Sequence, residues 1–257
     1  MKSKFIILGC GSSLGVPRAD GSWGKCNPNE KKNYRTRCSA FIKSEANNIL
    51  IDTSPDLRLQ LINNNIKNID NVIYTHMHGD QVHGINDLRV FFIKTKKQIP
   101  VHADDQTRKY LKSNFSYCFK NTPSYQAILK MHKLKKNFTF KKNGKSISIK
   151  SILVQHGLIN SQSFIINKSC AYISDANKIY TKDYKFFKNI KFLVIDCLRL
   201  NYHPSHFNLN DVLYLNKILQ PKKTILTNLH SDLDFNYLVK ILPKNIVPAY
   251  DGMSFYI

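Results

Sequence analysis

Acidic residues are scarce in this chain. Seventeen Asp and Glu stand against 39 Lys and Arg, leaving a net charge of +22. Such an imbalance suits an anionic partner, either nucleic acid or a small anionic substrate. The lysines are dispersed, with only short runs such as Lys94-Thr-Lys-Lys97 and Lys133-Leu-Lys-Lys136. Lys, Asn, Ile, Phe and Tyr are abundant together, which A/T-rich codons produce without any functional demand. Long apolar runs are missing too. None approaches the roughly 20 residues that span a bilayer, so no membrane helix is expected. The six cysteines (Cys10, Cys26, Cys38, Cys118, Cys170, Cys197) include no CxxC pair. A cysteine zinc knuckle is therefore not signalled, and reduced thiols in a cytoplasmic chain are expected. The first glycine-rich turn (Gly9, Gly11, Gly15) lacks the GxGxxG frame, which removes the dinucleotide fingerprint. No repeat, linker or low-complexity tail breaks the chain, so one domain over 1–257 is expected.

At 257 residues and 42% hydrophobic content, the chain can bury a large core. The opening residues have too short an apolar part for a signal peptide, and glycines break it at once. Residues 4–9 therefore read as a first strand, without export. Residues 16–37 form a long polar segment, of a length that marks a functional loop or an insertion. Strands are expected at 39–44 and 48–52, then a helix to about residue 63 with Ser54 as N-cap and Pro55 at its first position. A strand at 71–75 follows, then a short helix at 84–92 with Leu88 and Phe92 inward. Next come a strand at 99–103 and a helix to about 115 capped by Asp104 or Asp105. Residues 116–135 are aromatic and basic without a clean period. Asn143-Gly144 signals a hairpin between strands near 138–140 and 146–153. Further strands are expected at 163–166, 169–174, 192–196, 224–227 and 253–257. Helices are expected at 183–188, 209–219 and 233–242. Strands with interspersed helices and antiparallel pairs argue for an α/β protein with mixed sheets.

The stretch Thr75-His-Met-His-Gly-Asp-Gln-Val-His-Gly84 dominates this pattern. It packs His76, His78, Asp80 and His83 into eight residues after the apolar Val72, Ile73 and Tyr74. Imidazole and carboxylate this dense suit a divalent metal better than a solvated loop. Four more metal-capable residues close expected strands: His156, Asp175, Asp196 and His230. Strand ends along one sheet edge converge in space, where α/β sites lie.

Taken together, the motifs resemble the metallo-β-lactamase superfamily. Within it, the chain is similar to the branch containing phosphoribosyl 1,2-cyclic phosphate phosphodiesterase and, more distantly, tRNase Z. The resemblance rests on Leu8-Gly-Cys-Gly-Ser-Ser-Leu-Gly-Val-Pro17, Leu50-Ile-Asp-Thr-Ser-Pro-Asp56, residues 75–80, Gly84-Ile-Asn-Asp-Leu-Arg89, His156, Ser174-Asp175 and Pro248-Ala-Tyr-Asp-Gly252. It implies a four-layer αββα sandwich of two mixed sheets with a metal site at one edge. It further implies zinc or manganese, one or two per chain. His76, His78 and His156 would hold the first ion, Asp175 would bridge, and Asp80 would bind the second. Here the chain departs from the pattern. Gln81 and Asn228 stand where the family has histidines for the second ion. His83 and His230, each two positions further on, are the substitutes on offer. Asp52 and Asp196 would orient ligand histidines. For Arg89 an ion pair with Asp87 or another helix residue is expected over contact with a phosphate. The implied activity is metal-dependent hydrolysis of a small cyclic or nucleotide-like phosphodiester by metal-bound hydroxide. Asp80 would place the water and His206 would protonate the leaving oxygen. The rivals are an RNA-processing nuclease, a thiolesterase or lactonase, and a non-catalytic binding protein with a degraded second site. A homodimer is left open.

Overall fold

The computed structural model describes residues 3–257. The first half of the chain supplies six strands to one sheet: β1 (Lys4–Gly9), β2 (Ser39–Lys43), β3 (Ile49–Ile51), β4 (Asn71–Ile73), β5 (Ile99–Ala103) and β6 (Leu129–Lys133). The second half builds the other sheet from β7 (Asn137–Lys142), β8 (Lys145–His156), β9 (Ile159–Ile166), β10 (Cys170–Ile173), β11 (Phe192–Asp196), β12 (Lys223–Thr227) and β13 (Ile246–Pro248). A last strand, β14 (Ser254–Tyr256), returns to the first sheet beside β1. Each sheet has seven strands among the described residues, ordered β14-β1-β2-β3-β4-β5-β6 and β13-β12-β11-β10-β9-β8-β7. The pairing pattern repeats. From β14 to β3 the pairs are antiparallel, and from β3 to β6 parallel. From β7 to β10 they are antiparallel, and from β10 to β13 parallel.

Three apolar layers make this a four-layer αββα sandwich. Between the sheets lie Phe5, Ile7, Ile42, Ile51, Ile73, Tyr172, Val194 and Ile225. Outside the first sheet, Leu57 and Leu61 of α1 (Leu57–Asn63) and Leu111 of a later helix cover Leu50, Val72 and Val101. The helices on that face continue with α2 (Gly79–Val82), α3 (Arg89–Thr95) and α4 (Asp105–Asn114). Outside the second sheet, α5 (Leu209–Leu219) buries Val212, Leu215 and Leu219 against Leu193, Ile195 and Leu226. Leu238 of α6 (Phe235–Ile241) joins the same layer. Among the described residues no helix is long and apolar enough to cross a membrane.

Local chemistry explains most boundaries. Asp104 caps α4 by accepting from the Thr107 N–H, and Asn208 and Asp211 form a reciprocal capping box on α5. Asn143-Gly144 and Asn167-Lys168 all take positive φ, the two-residue hairpin geometry. Other elements differ from expectation. The first helix begins at Leu57, not Pro55. Ser54 instead makes a turn, its carbonyl accepting from the Leu57 N–H and its hydroxyl from the Asp56 N–H. Residues 84–92 divide into a short 3-10 turn and α3, with Leu88 buried and Phe92 half-buried. The unpatterned segment 116–135 hides β6, an edge strand mostly facing solvent, so no alternation marks it.

Candidate metal centre

Six site residues leave the carboxyl ends of strands. Asp52 follows β3, Thr75 and His76 follow β4, His156 ends β8, Asp175 follows β10, and Asp196 ends β11. All these ends open on one edge of the sandwich. The loop carrying His78 is docked there by Gly84, whose N–H donates to Thr53 O at 2.8 Å. A β-carbon at Gly84 would collide with the Ser54 carbonyl, so glycine permits this approach.

Three imidazoles converge. His76 Nε2 lies 3.0 Å from His78 Nδ1, and His156 Nε2 lies 3.3 Å from the same atom. Ligands placed tetrahedrally about zinc at its usual bond length stand about 3.3 Å apart. The far nitrogens are occupied in a way that fixes the tautomers. His156 Nδ1 donates to Ser205 O at 2.7 Å. His76 Nδ1 lies 3.0 Å from Thr75 Oγ1, which itself donates to Asp52 Oδ2 at 2.8 Å. With its hydroxyl hydrogen committed to Asp52, Thr75 accepts from His76 and leaves Nε2 bare. Burial then pushes His76 down to about 3, keeping it neutral, and lowers His78 as well.

A carboxylate cluster borders the imidazoles. His156, Asp175 and His206 form a second group able to hold an ion. Burial works to raise the Asp175 carboxyl, but His76, His156 and His206 overcome it and hold it below the ordinary value. His206 Nδ1 sits 2.7 Å from Asp196 Oδ2. Burial opposes a charge on His206, yet Asp196 with Asp175 and Asp80 lifts it to about 9. Asp80 lines the same cavity and is raised to about 6, first by burial and then by Asp175. The cavity holds about 230 Å³ and has Arg199, His203 and Ser12 on its other walls.

Several expected site residues lie elsewhere or act otherwise. His83 turns outward, its Nε2 3.1 Å from the Tyr110 hydroxyl, and stays outside the cavity because α2 is a single turn that ends there. His230 lines the cavity but is engaged by Arg18 Nη2 at 2.9 Å and by Asp232 at 3.1 Å. Asp52 touches no histidine and works through Thr75. Arg89 stacks on the Tyr125 ring at 4.8 Å. Sequence reasoning missed Arg18, Arg199 and the buried Arg35. Arg35 donates to Leu233 O and Asn33 Oδ1, binding the 16–37 segment to the chain after β12. Lone arginines in loops carry no spacing signal that would have found them.

With fold and site in view, comparison with known proteins gives the family. Residues 47–228 match the beta-lactamase superfamily domain, and the chain belongs to that superfamily, in its metallo-β-lactamase branch of hydrolases. A crystal structure described as a new diphosphatase from the PhnP family is 28% identical, with a TM-score of 0.90 over 100% of this chain and 98% of that one. Zinc-bound PqqB from Methylobacterium extorquens is 15% identical, with a TM-score of 0.80 over 99% and 100% of the two chains, a likeness of fold. An octanoyltransferase from Porphyromonas gingivalis (strain ATCC BAA-308 / W83) is 29% identical over 256 residues, 98% of this chain and 51% of that protein. The chain thus spans about half the length of this curated relative.

Proposed function

We propose that the protein is a metal-dependent phosphodiesterase acting on a small anionic diester. The observation that carries this reading is the convergence of His76 Nε2, His78 Nδ1 and His156 Nε2 beside Asp175. Three imidazoles and a carboxylate fit zinc, and manganese, which prefers oxygen ligands, fits less well. A divalent ion bound there supplies a Lewis acid for the phosphoryl oxygen and acidifies water. The protein's own groups do the rest. Asp80, on the cavity wall, accepts a proton from the attacking water. His206, charged at neutral pH and oriented by Asp196, gives a proton to the leaving oxygen. The cavity's size favours a compact substrate over a long RNA, and its arginines favour a negative one. Likeness to the PhnP-family diphosphatase supports phosphorus chemistry.

Acyl transfer, suggested by the octanoyltransferase name, fits the site less well. All six cysteines are buried and unpaired, and burial raises the thiols of Cys10, Cys38, Cys170 and Cys197, leaving no thiolate at the cavity. Six free thiols also suit a reducing cytoplasm, the location we assign. Hydrolysis of bis-p-nitrophenyl phosphate by the metal-loaded chain, compared with His78→Ala, tests the reading. Loss of at least 100-fold in kcat/KM is expected; equal rates would end it.

A further inference from the structure

We infer that the chain holds one metal ion, because the side-chain amides of Gln81 and Asn228 fill the place of a second. This rests on the metal-dependent reading of the site and fixes its stoichiometry. Gln81 is fully buried in α2. Its Nε2 donates to Asp175 Oδ2 at 3.1 Å, and Asp80 precedes it in the same helical turn. The amide thus occupies the Asp175 oxygen that a second cation would have to share with Asp80. Asn228, also buried, donates from Nδ2 to Asp175 Oδ1 at 3.2 Å and to Asp196 Oδ1 at 3.1 Å. Both oxygens of Asp175 therefore take an amide hydrogen.

An ion bridging Asp80 and Asp175 would stand about 2.1 Å from a carboxylate oxygen. The Gln81 nitrogen occupies that direction and presents hydrogens, which repel a cation. The surrounding carboxylates dictate that the amides show nitrogen rather than oxygen. Gln81 Oε1 has no hydrogen-bond donor among the described residues, so the amide's only metal-binding atom is withheld from the carboxylates. The backbone holds both residues at the site. Gln81 O accepts from the Thr53 N–H at 2.7 Å, and Asn228 sits at φ 60°, a left-handed conformation set by the turn after β12.

The imidazoles give the same count. The two groups able to hold an ion, His76/His78/His156 and His156/Asp175/His206, share His156. Its Nδ1 is given to Ser205 O, so one nitrogen remains, and one nitrogen serves one ion. His206 gives Nδ1 to Asp196 and, as the proton donor proposed above, carries its Nε2 hydrogen rather than a free pair for an ion. The two histidines nearest the missing ones, His83 and His230, are held by Tyr110 and by Arg18 with Asp232. The two groups accordingly describe one four-ligand centre, His76, His78, His156 and Asp175, with amides where a second ion would lie.

The test is metal content, read by plasma mass spectrometry on full-length chain equilibrated with zinc and desalted. One ion per chain is expected in the wild type, less than one in His78→Ala, and two in the double variant Gln81→His with Asn228→His. Two ions in the wild type would overturn the inference and leave the metal-dependent reading standing. No ion in the wild type would overturn both. A double variant that folds yet still holds one ion would overturn the role given to the amides. Should that variant fail to fold, calorimetric titration of the wild type with zinc decides: a stoichiometry of one supports the inference and two overturns it.

Discussion

Thr75 carries more of this site than its neutral side chain suggests. Its hydroxyl donates to Asp52 and faces His76 Nδ1, while its N–H donates to the same carboxylate at 2.7 Å. Burial pushes the Asp52 carboxyl well above its usual range, with the two Thr75 bonds working against that rise. Thr75→Val removes the acceptor facing His76 Nδ1 and the hydroxyl donor to Asp52. Metal affinity should fall 10–100-fold, and stability by about 1–3 kcal/mol. Thr75→Ser should restore both, as read by competition with a chromophoric chelator and by urea denaturation. His206 sets a second expectation. Catalysis that uses its protonated form should decline as pH rises through about 9. The pH profile of kcat/KM checks this, and His206→Gln should lack that alkaline limb. Among single residues, the placing of His76, His156 and Asp175 at one rim was legible because each follows or ends an apolar strand, and that of His78 because it shares the dense stretch that starts at His76. The outward turn of His83 was not legible, since spacing cannot show which way a one-turn helix releases its last residue. Nor was the interposition of Thr75 between Asp52 and His76, a matter of where two loops meet.

At the scale of elements, β5 and the edge strand β6 carry a device of their own. His102 and His132 pair across the two strands with ring centroids 5.1 Å apart, and Phe138 and Phe140 of β7 press on His102. His102 Nε2 lies 2.9 Å from Asn71 Oδ1. Burial, then His132 and Lys135, push His102 down to about 4. The unfolded chain holds this group near pKa 6.5, so it takes up a proton earlier than the folded chain does. Stability from the neutral imidazole is thus fully present above pH 6.5 and is lost as pH falls from there through about 4. Because His102 is partly exposed, the loss should be of the order of 1 kcal/mol. Denaturant titrations at pH 7 and 4.5 should show it in the wild type and a smaller change in His102→Gln. The elements themselves were readable where period and punctuation agreed, as in α4 with Asp104, α5 with Asn208 and the Asn143-Gly144 hairpin. They were unreadable where an edge strand faces solvent, as in β6, or spans three residues, as in β13. The start of α1 escaped for another reason. The Asp56 carboxylate is taken by Arg37 at 2.6–2.9 Å, a partner supplied by a distant loop.

Across the whole molecule, the antiparallel-then-parallel order of the first sheet recurs in the second, although the sequence shows no repeat. Backbone pairing can recur while side chains diverge, because each sheet needs only apolar residues at matching depths. The proposed ligands divide between the halves: His76 and His78 come from the first sheet, and His156 and Asp175 from the second. A bound ion would therefore be a clasp across the seam of the sandwich, joining two layers otherwise held at that rim by apolar contact and a few polar bonds. Whatever binds only the folded chain raises its melting temperature in proportion to occupancy. Stripping the ion with a chelator should lower the Tm by several degrees, the shift should vanish in His78→Ala, and proteases should then cut first where the two halves part.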